Sequence, residues 1–76
     1  MGRLDAAFKT YEQAAALASD ADRKQLAGTF GFGGVGDGYL KARRPQEALR
    51  AYQRALQLDP NNTELQNKIA AARGRT

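Results

Sequence analysis

The side chains of this chain that could act as acids or bases are carboxylates, tyrosines and lysines. The sequence has eight Asp and Glu residues but no histidine and no cysteine. A nucleophile paired with a histidine base is therefore excluded, as is a thiolate or imidazole metal site. Acid–base catalysis needs carboxylates gathered in a cleft with shifted pKa values. Because the carboxylates are scattered along the chain, we expect no enzyme activity, no metal and no cofactor.

One glycine-rich stretch has the letters of a phosphate-binding motif. Residues 31–36 read Gly-Phe-Gly-Gly-Val-Gly, which fits G-x-G-x-x-G. In dinucleotide-binding proteins that motif follows a β-strand and begins a helix within a βαβ unit. Here the preceding residues 22–26 are mostly charged, and the chain contains no run of β-branched residues. Nucleotide binding is therefore disfavoured.

Basic residues suggest an alternative function. The chain has 12 Lys and Arg against 8 Asp and Glu, a net charge of +4. A basic face can bind phosphates of RNA or acidic protein segments. The candidate residues are Arg43, Arg44, Arg50 and Arg54. An ordinary solvated helix face explains the same arginines, so we rank anion binding, and nucleic acid as a partner, below the function described next.

A second sequence pattern indicates the helices that carry these residues. Small and aromatic residues recur at helical spacing, namely Phe32, Val35, Gly36, Tyr39, Ala48, Tyr52, Ala55, Leu56 and Pro60. This ladder resembles the tetratricopeptide repeat, in which W-x2-L-G-x2-Y is followed by A-x3-F and a closing Pro. The resemblance implies a pair of antiparallel helices and a non-enzymatic scaffold that binds a protein or peptide.

Part of this pattern also occurs nearer the N-terminus. With a shift of 41 residues, Ala7, Tyr11, Ala14 and Leu17 superpose on Ala48, Tyr52, Ala55 and Leu58. The shift exceeds the standard repeat of 34 residues by about two helical turns, which resembles the long-helix variants of the family. We therefore predict an all-α stack of about four helices, a right-handed α-solenoid fragment from the C-terminal end of a longer array.

We predict one domain with three parts. Residues 1–20 hold the second helix of a partial repeat, 21–62 a full extended repeat, and 63–76 a C-terminal capping helix. The first helix of the full repeat is the weakest, because six of the eight glycines fall between Gly28 and Gly38. Each glycine costs about 0.8–1 kcal/mol relative to alanine inside a helix. The sequence leaves open whether residues 28–38 form continuous helix.

The resemblance also indicates where a ligand would lie. In this family, extended peptides occupy a concave groove lined mainly by the first helix of each repeat. Carried onto this sequence, the groove positions are Phe30, Gly33, Asp37, Leu40 and Lys41. Members that hold a C-terminal carboxylate carry Lys and Asn where Gly33 and Asp37 stand. That ligand is therefore disfavoured here, because an aspartate repels a carboxylate.

The first predicted helix has an apolar stripe that lacks a partner helix in this layout. Solenoid repeats bury their cores against neighbouring repeats, and about three are needed for stability. We therefore predict that Leu4, Phe8 and Tyr11 contact a second copy, or a preceding repeat of a longer array. The sequence has no apolar run near the roughly 20 residues that span a bilayer. No membrane contact is expected, and a cytoplasmic location is favoured.

Overall fold

The computed structural model describes residues 2–28 and 31–75. Within these residues the chain forms α-helices and no strand. The helices are α1 (Gly2–Leu17), α2 (Asp20–Ala27), α3 (Phe32–Lys41), α4 (Pro45–Leu58) and α5 (Thr63–Arg75). The predicted all-α helical stack is confirmed. The closest packing is between α3 and α4 and between α4 and α5, while α1 lies against α3.

The predicted first helix of the full repeat is divided in two. α2 ends at Ala27 and α3 begins at Phe32, so the extra residues form a separate short helix and do not lengthen α3. The backbone N–H groups of Gly31 and Gly34 both donate to the Gly28 carbonyl, at 3.0 and 3.2 Å. A Cβ added at Gly31 would overlap the Leu26 backbone. The break therefore requires glycine at that position.

Local sequence sets the other helix ends. Ser19 caps α2, because its Oγ accepts a hydrogen bond of 3.3 Å from the backbone N–H of Asp22. Pro45 occupies the first turn of α4, where its missing N–H is not needed. Asn62 caps α5 through its Oδ1, which accepts from the Leu65 N–H at 3.1 Å. After α3 the chain turns through Arg43, which has a left-handed φ of 62°.

α3 lies at the centre of the molecule because its glycines allow close approach. A Cβ on Gly36 would lie 2.6 Å from Cδ1 of the Tyr52 ring in α4, and one on Gly38 would lie 2.8 Å from Cδ2 of Leu4 in α1. Both distances are far inside an ordinary carbon–carbon contact. The Leu4 methyl group is the end of a flexible side chain and can shift, so the need for glycine is stronger at Gly36, which lies under the buried Tyr52 ring.

The core is built largely from alanine and aromatic side chains. Its buried residues are Ala15, Ala27, Phe32, Val35, Tyr39, Ala48, Ala51, Tyr52, Ala55, Leu65, Ile69 and Ala72. The Phe32 ring meets the Phe8 and Tyr11 rings edge-on, at centroid distances of 5.2 and 5.9 Å. None of the helices in the described ranges is long and apolar enough to cross a membrane.

Candidate functional site

The residues predicted to line the groove have different surroundings. Phe30 lies outside the described residues. Gly33 is buried, and a Cβ added there would lie 2.7 Å from the Ala27 carbonyl oxygen. The end of α2 therefore covers Gly33, and this position is not open to a ligand. Leu40 is half-buried and Lys41 is exposed.

Asp37 is held by contacts within the chain. Its carboxylate accepts hydrogen bonds from the Tyr52 hydroxyl and, at 3.1 Å, from Lys68 Nζ. Lys68 also pairs with Glu64 at 3.4 Å. Burial lowers the pKa of Lys68, but the hydrogen bonds and charges of Asp37 and Glu64 outweigh that effect and raise it above its ordinary value. The face between α3 and α5 thus carries an ion-pair network that already partners Asp37.

The four arginines of the anion-binding alternative fall into two pairs. Arg44 forms an ion pair with Glu47 at 3.0 Å. Arg54 pairs with Glu12 of α1, and its guanidinium carbon lies 5.9 Å from the centroid of the Phe32 ring. Arg43 and Arg50 are exposed. Because two of the four cations are already paired with carboxylates, the chain offers less free positive charge than its composition suggests.

The residues predicted to mediate self-association pack inside the chain. Leu4 contacts Gly38, while Phe8 and Tyr11 contact Phe32, and all three side chains are half-buried. Their common neighbour is α3, which occupies the side of α1 that we expected a second copy to cover. The prominent exposed apolar residue of α1 is Leu17, with 90 % of its surface accessible.

A larger open surface lies where α4 meets α5. It is a groove of about 520 Å³ whose apolar floor is formed by Leu56, Pro60 and Ile69. Three glutamines and Arg73 form its rim. Sequence reasoning missed this groove because it treated α5 as a cap with a polar outer face. Leu56 and Pro60 were already in the apolar pattern, and they were the sequence signal that could have indicated the groove.

A second groove, of about 360 Å³, lies between α1 and α2 at the other end of the molecule. Its apolar lining comes from Ala14, Leu17, Ala18 and Leu26. Asp22 and Gln25 are the polar residues of its wall. Two apolar surfaces are thus exposed, one on the first two helices and one on the last two.

Tyr39 lies beside a small pocket of about 180 Å³ between α1, α3 and α4. Its hydroxyl donates a hydrogen bond to the Asp5 carboxylate. Burial and this hydrogen bond raise the pKa of Tyr39 from 10.0 to about 12. The phenol therefore stays protonated at neutral pH and acts as a donor that joins α3 to α1. In the described part of the chain, no group of three His, Cys, Asp or Glu residues could hold a metal ion.

The sequence of the helix pair α3–α4 matches a known family model. Residues 31–62 match the family model described as tetratricopeptide repeat. This segment is similar to a tetratricopeptide repeat. The match covers less than half of the chain and leaves out α1, α2 and α5. No match was found among curated proteins or solved structures.

The tetratricopeptide pattern can be aligned with residues of this segment. Gly36 and Tyr52 correspond to the Gly of the first helix and the aromatic residue of the second, and they touch where α3 and α4 cross. A further shift by the standard 34 residues carries α3 onto α5, and places Ile69 at the position of Val35 and Ala70 at that of Gly36. α5 therefore has the pattern of the first helix of another repeat.

Proposed function

We propose that this chain is a protein-interaction module that binds a partner helix in the groove between α4 and α5. A tetratricopeptide repeat is in general a protein-binding, non-enzymatic scaffold. The observation that carries the location is the open apolar floor formed by Leu56, Pro60 and Ile69. An apolar groove between helices is suited to the apolar face of an amphipathic helix.

The sequence pattern of α5 favours a helical partner that has small residues along one face. α5 repeats the pattern of α3, and α3 is covered by α4, which presents Ala48, Tyr52 and Ala55 at i, i+4 and i+7. A partner helix with the same spacing would meet Ile69 and Ala70 as α4 meets Val35 and Gly36. Leu40 and Lys41 on α3 remain proposed as a separate contact surface. A ligand would reach Asp37 only by replacing its contacts with Tyr52 and Lys68.

The test uses a synthetic amphipathic peptide of zero net charge, with alanine and leucine at i, i+3, i+4 and i+7. We expect saturable binding with a negative heat-capacity change, because apolar surface is buried. Leu56→Gln removes part of the groove floor and should weaken binding about tenfold or more, since burying a leucine contributes about 1.5–3 kcal/mol. Titration calorimetry measures both quantities.

The matched control is Leu49→Gln, because Leu49 is also a half-buried leucine of α4 but does not line the groove. Its affinity for the peptide should equal that of the unmodified chain. A peptide of the same composition whose apolar residues are spread around the helix, and so form no apolar face, should not bind. Equal losses in the two leucine variants would contradict the assignment of the groove. Binding of a polyanion that weakens steeply with salt would instead support the arginine alternative.

A further inference from the structure

The small pocket between α1, α3 and α4 brings charged side chains together with two aromatic rings. Its volume is about 180 Å³. Pockets for whole small molecules are usually about 300–1,000 Å³, so this one has the size for a single side chain. Positions about one turn apart on α1 and on α4 project to the same side of each helix. The lining residues are Asp5, Phe8, Lys9, Tyr39, Glu47 and Arg50.

The two carboxylates of the pocket already have partners in the chain. Asp5 accepts a hydrogen bond from the Tyr39 hydroxyl. Glu47 forms an ion pair with Arg44 at 3.0 Å. Both acids are therefore held by groups of the chain itself.

The two cations of the pocket have no such partner. Lys9 and Arg50 are exposed, and within residues 2–28 and 31–75 neither side chain forms an ion pair or a hydrogen bond. They reach the pocket from different helices, Lys9 from α1 and Arg50 from α4. An ammonium and a guanidinium group carry only donors. The pocket is therefore suited to an acceptor group that both side chains can share.

The charges around the pocket favour a ligand with a single negative charge. Lys9, Arg50 and Arg44, the partner of Glu47, are cationic, whereas Asp5 and Glu47 are anionic. One positive charge is therefore left over. A carboxylate neutralises it, while a phosphate group, with a charge of about −1.5 to −2 at neutral pH, exceeds it.

We propose that this pocket binds the carboxylate of an aspartate or glutamate side chain from a partner protein, with Lys9 and Arg50 as the donors. The methylene groups of that side chain would lie against the Phe8 and Tyr39 rings. Of the four arginines considered for anion binding, Arg50 alone lines this pocket. No residue lines both this pocket and the groove between α4 and α5, so the two sites can be tested separately.

The test is a titration of the isotopically labelled chain with the capped tripeptide acetyl-Ala-Glu-Ala-amide, followed by NMR chemical shifts. We expect saturable shifts centred on residues 5–9 and 47–50. The matched probe acetyl-Ala-Gln-Ala-amide has nearly the same shape without the charge. It should bind at least about fivefold more weakly, because hydrogen bonds between two charged groups are stronger than those to a neutral acceptor.

Two substitutions test the assigned donors. Lys9→Gln and Arg50→Gln should each weaken binding of the glutamate peptide about fivefold or more. Both positions are exposed, so the variants should fold, as helical circular dichroism would verify. The matched controls are Lys24→Gln and Arg23→Gln in α2, which change the net charge equally at exposed positions outside the pocket. These controls should bind like the unmodified chain, and Arg50→Lys should keep most of the affinity.

Several outcomes would overturn the proposal. Equal binding of the two peptides, or no saturable shift at residues 5–9 and 47–50, shows that the pocket recognises no carboxylate. Equal losses in all four glutamine variants show an effect of net charge alone. Tighter binding of inorganic phosphate at the same residues assigns the pocket to phosphate. Leu56→Gln should leave the affinity for the glutamate peptide unchanged, so a failure of this pocket and a failure of the groove are distinguishable.

Discussion

At the residue scale, the contact between Gly36 and the Tyr52 ring leaves no room for a side chain at residue 36. The Tyr52 side chain is fully buried, and its hydroxyl donates to Asp37 on the same helix as Gly36. The ring is therefore fixed at both ends and cannot move away from the α3 backbone. The glycine is needed here for space, because its backbone φ is not in the left-handed region.

We predict that Gly36→Ala lowers the free energy of unfolding by roughly 2 kcal/mol. Because the Cβ would overlap a buried ring, the cost should be near the upper end of the usual range for overpacking, about 3 kcal/mol. The higher helix propensity of alanine offsets up to about 1 kcal/mol of that loss. The matched control is Gly74→Ala in α5, where an added Cβ has nothing within 4 Å. That variant should be stabilised by about 0.5 kcal/mol. Urea unfolding followed by circular dichroism compares the two, and equal effects would contradict the packing argument.

At the element scale, α2 has much less buried surface than its neighbour α3. It has eight residues, and only Ala27 is buried. α3 is nearly as short and much richer in glycine, but Phe32, Gly33, Val35, Gly36 and Tyr39 are all buried. Local opening is easiest where few apolar contacts must be broken. α2 should therefore open more easily than α3, although helix propensity alone predicts that the glycines make α3 the weaker of the two.

We predict that backbone amides of α2 exchange with solvent faster than those of α3. Hydrogen exchange followed by mass spectrometry should show little protection for residues 23–27 and strong protection for residues 36–41. The amides of α4 serve as the reference for the global unfolding limit. Faster exchange in α3 than in α2 would show that the intrinsic cost of glycine outweighs burial.

Sequence periodicity was sufficient to predict α4, but it did not predict the break between α2 and α3. Pro45 and the Ala48–Tyr52–Ala55 stripe define α4 locally, and the structure confirms that helix. The break before Phe32 depends on the Leu26 backbone, which approaches Gly31 only in the folded chain. Similarly, the stripe of α1 is visible in the sequence, but which of its sides faces α3 is a tertiary property. The groove between α4 and α5 was missed for the same reason.

At the scale of the whole molecule, α1 is joined to the rest by polar and aromatic contacts. Tyr39 donates to Asp5, and Arg54 pairs with Glu12. The Phe8 and Tyr11 rings complete the contact through Phe32. The attachment of this helix therefore depends in part on the hydrogen bond that the Tyr39 hydroxyl donates.

We predict that alkaline pH weakens the fold through Tyr39. Its pKa is about 12 in the folded chain and 10.0 in the reference state, so its contribution is complete below pH 10 and is lost as pH rises towards 12. The loss should approach about 2 kcal/mol. Tyr39→Phe lacks this group, so the difference in unfolding free energy between the two proteins should shrink over that interval. A constant difference would contradict the raised pKa.

The two apolar grooves lie on different helix pairs, one between α1 and α2 and one where α4 meets α5. A ligand that carries two weak recognition segments and spans both grooves would bind its second segment at a high effective concentration, and avidity can exceed the single-site affinity by about 10²–10⁴. Two grooves of modest intrinsic affinity would then make the chain selective for bivalent ligands.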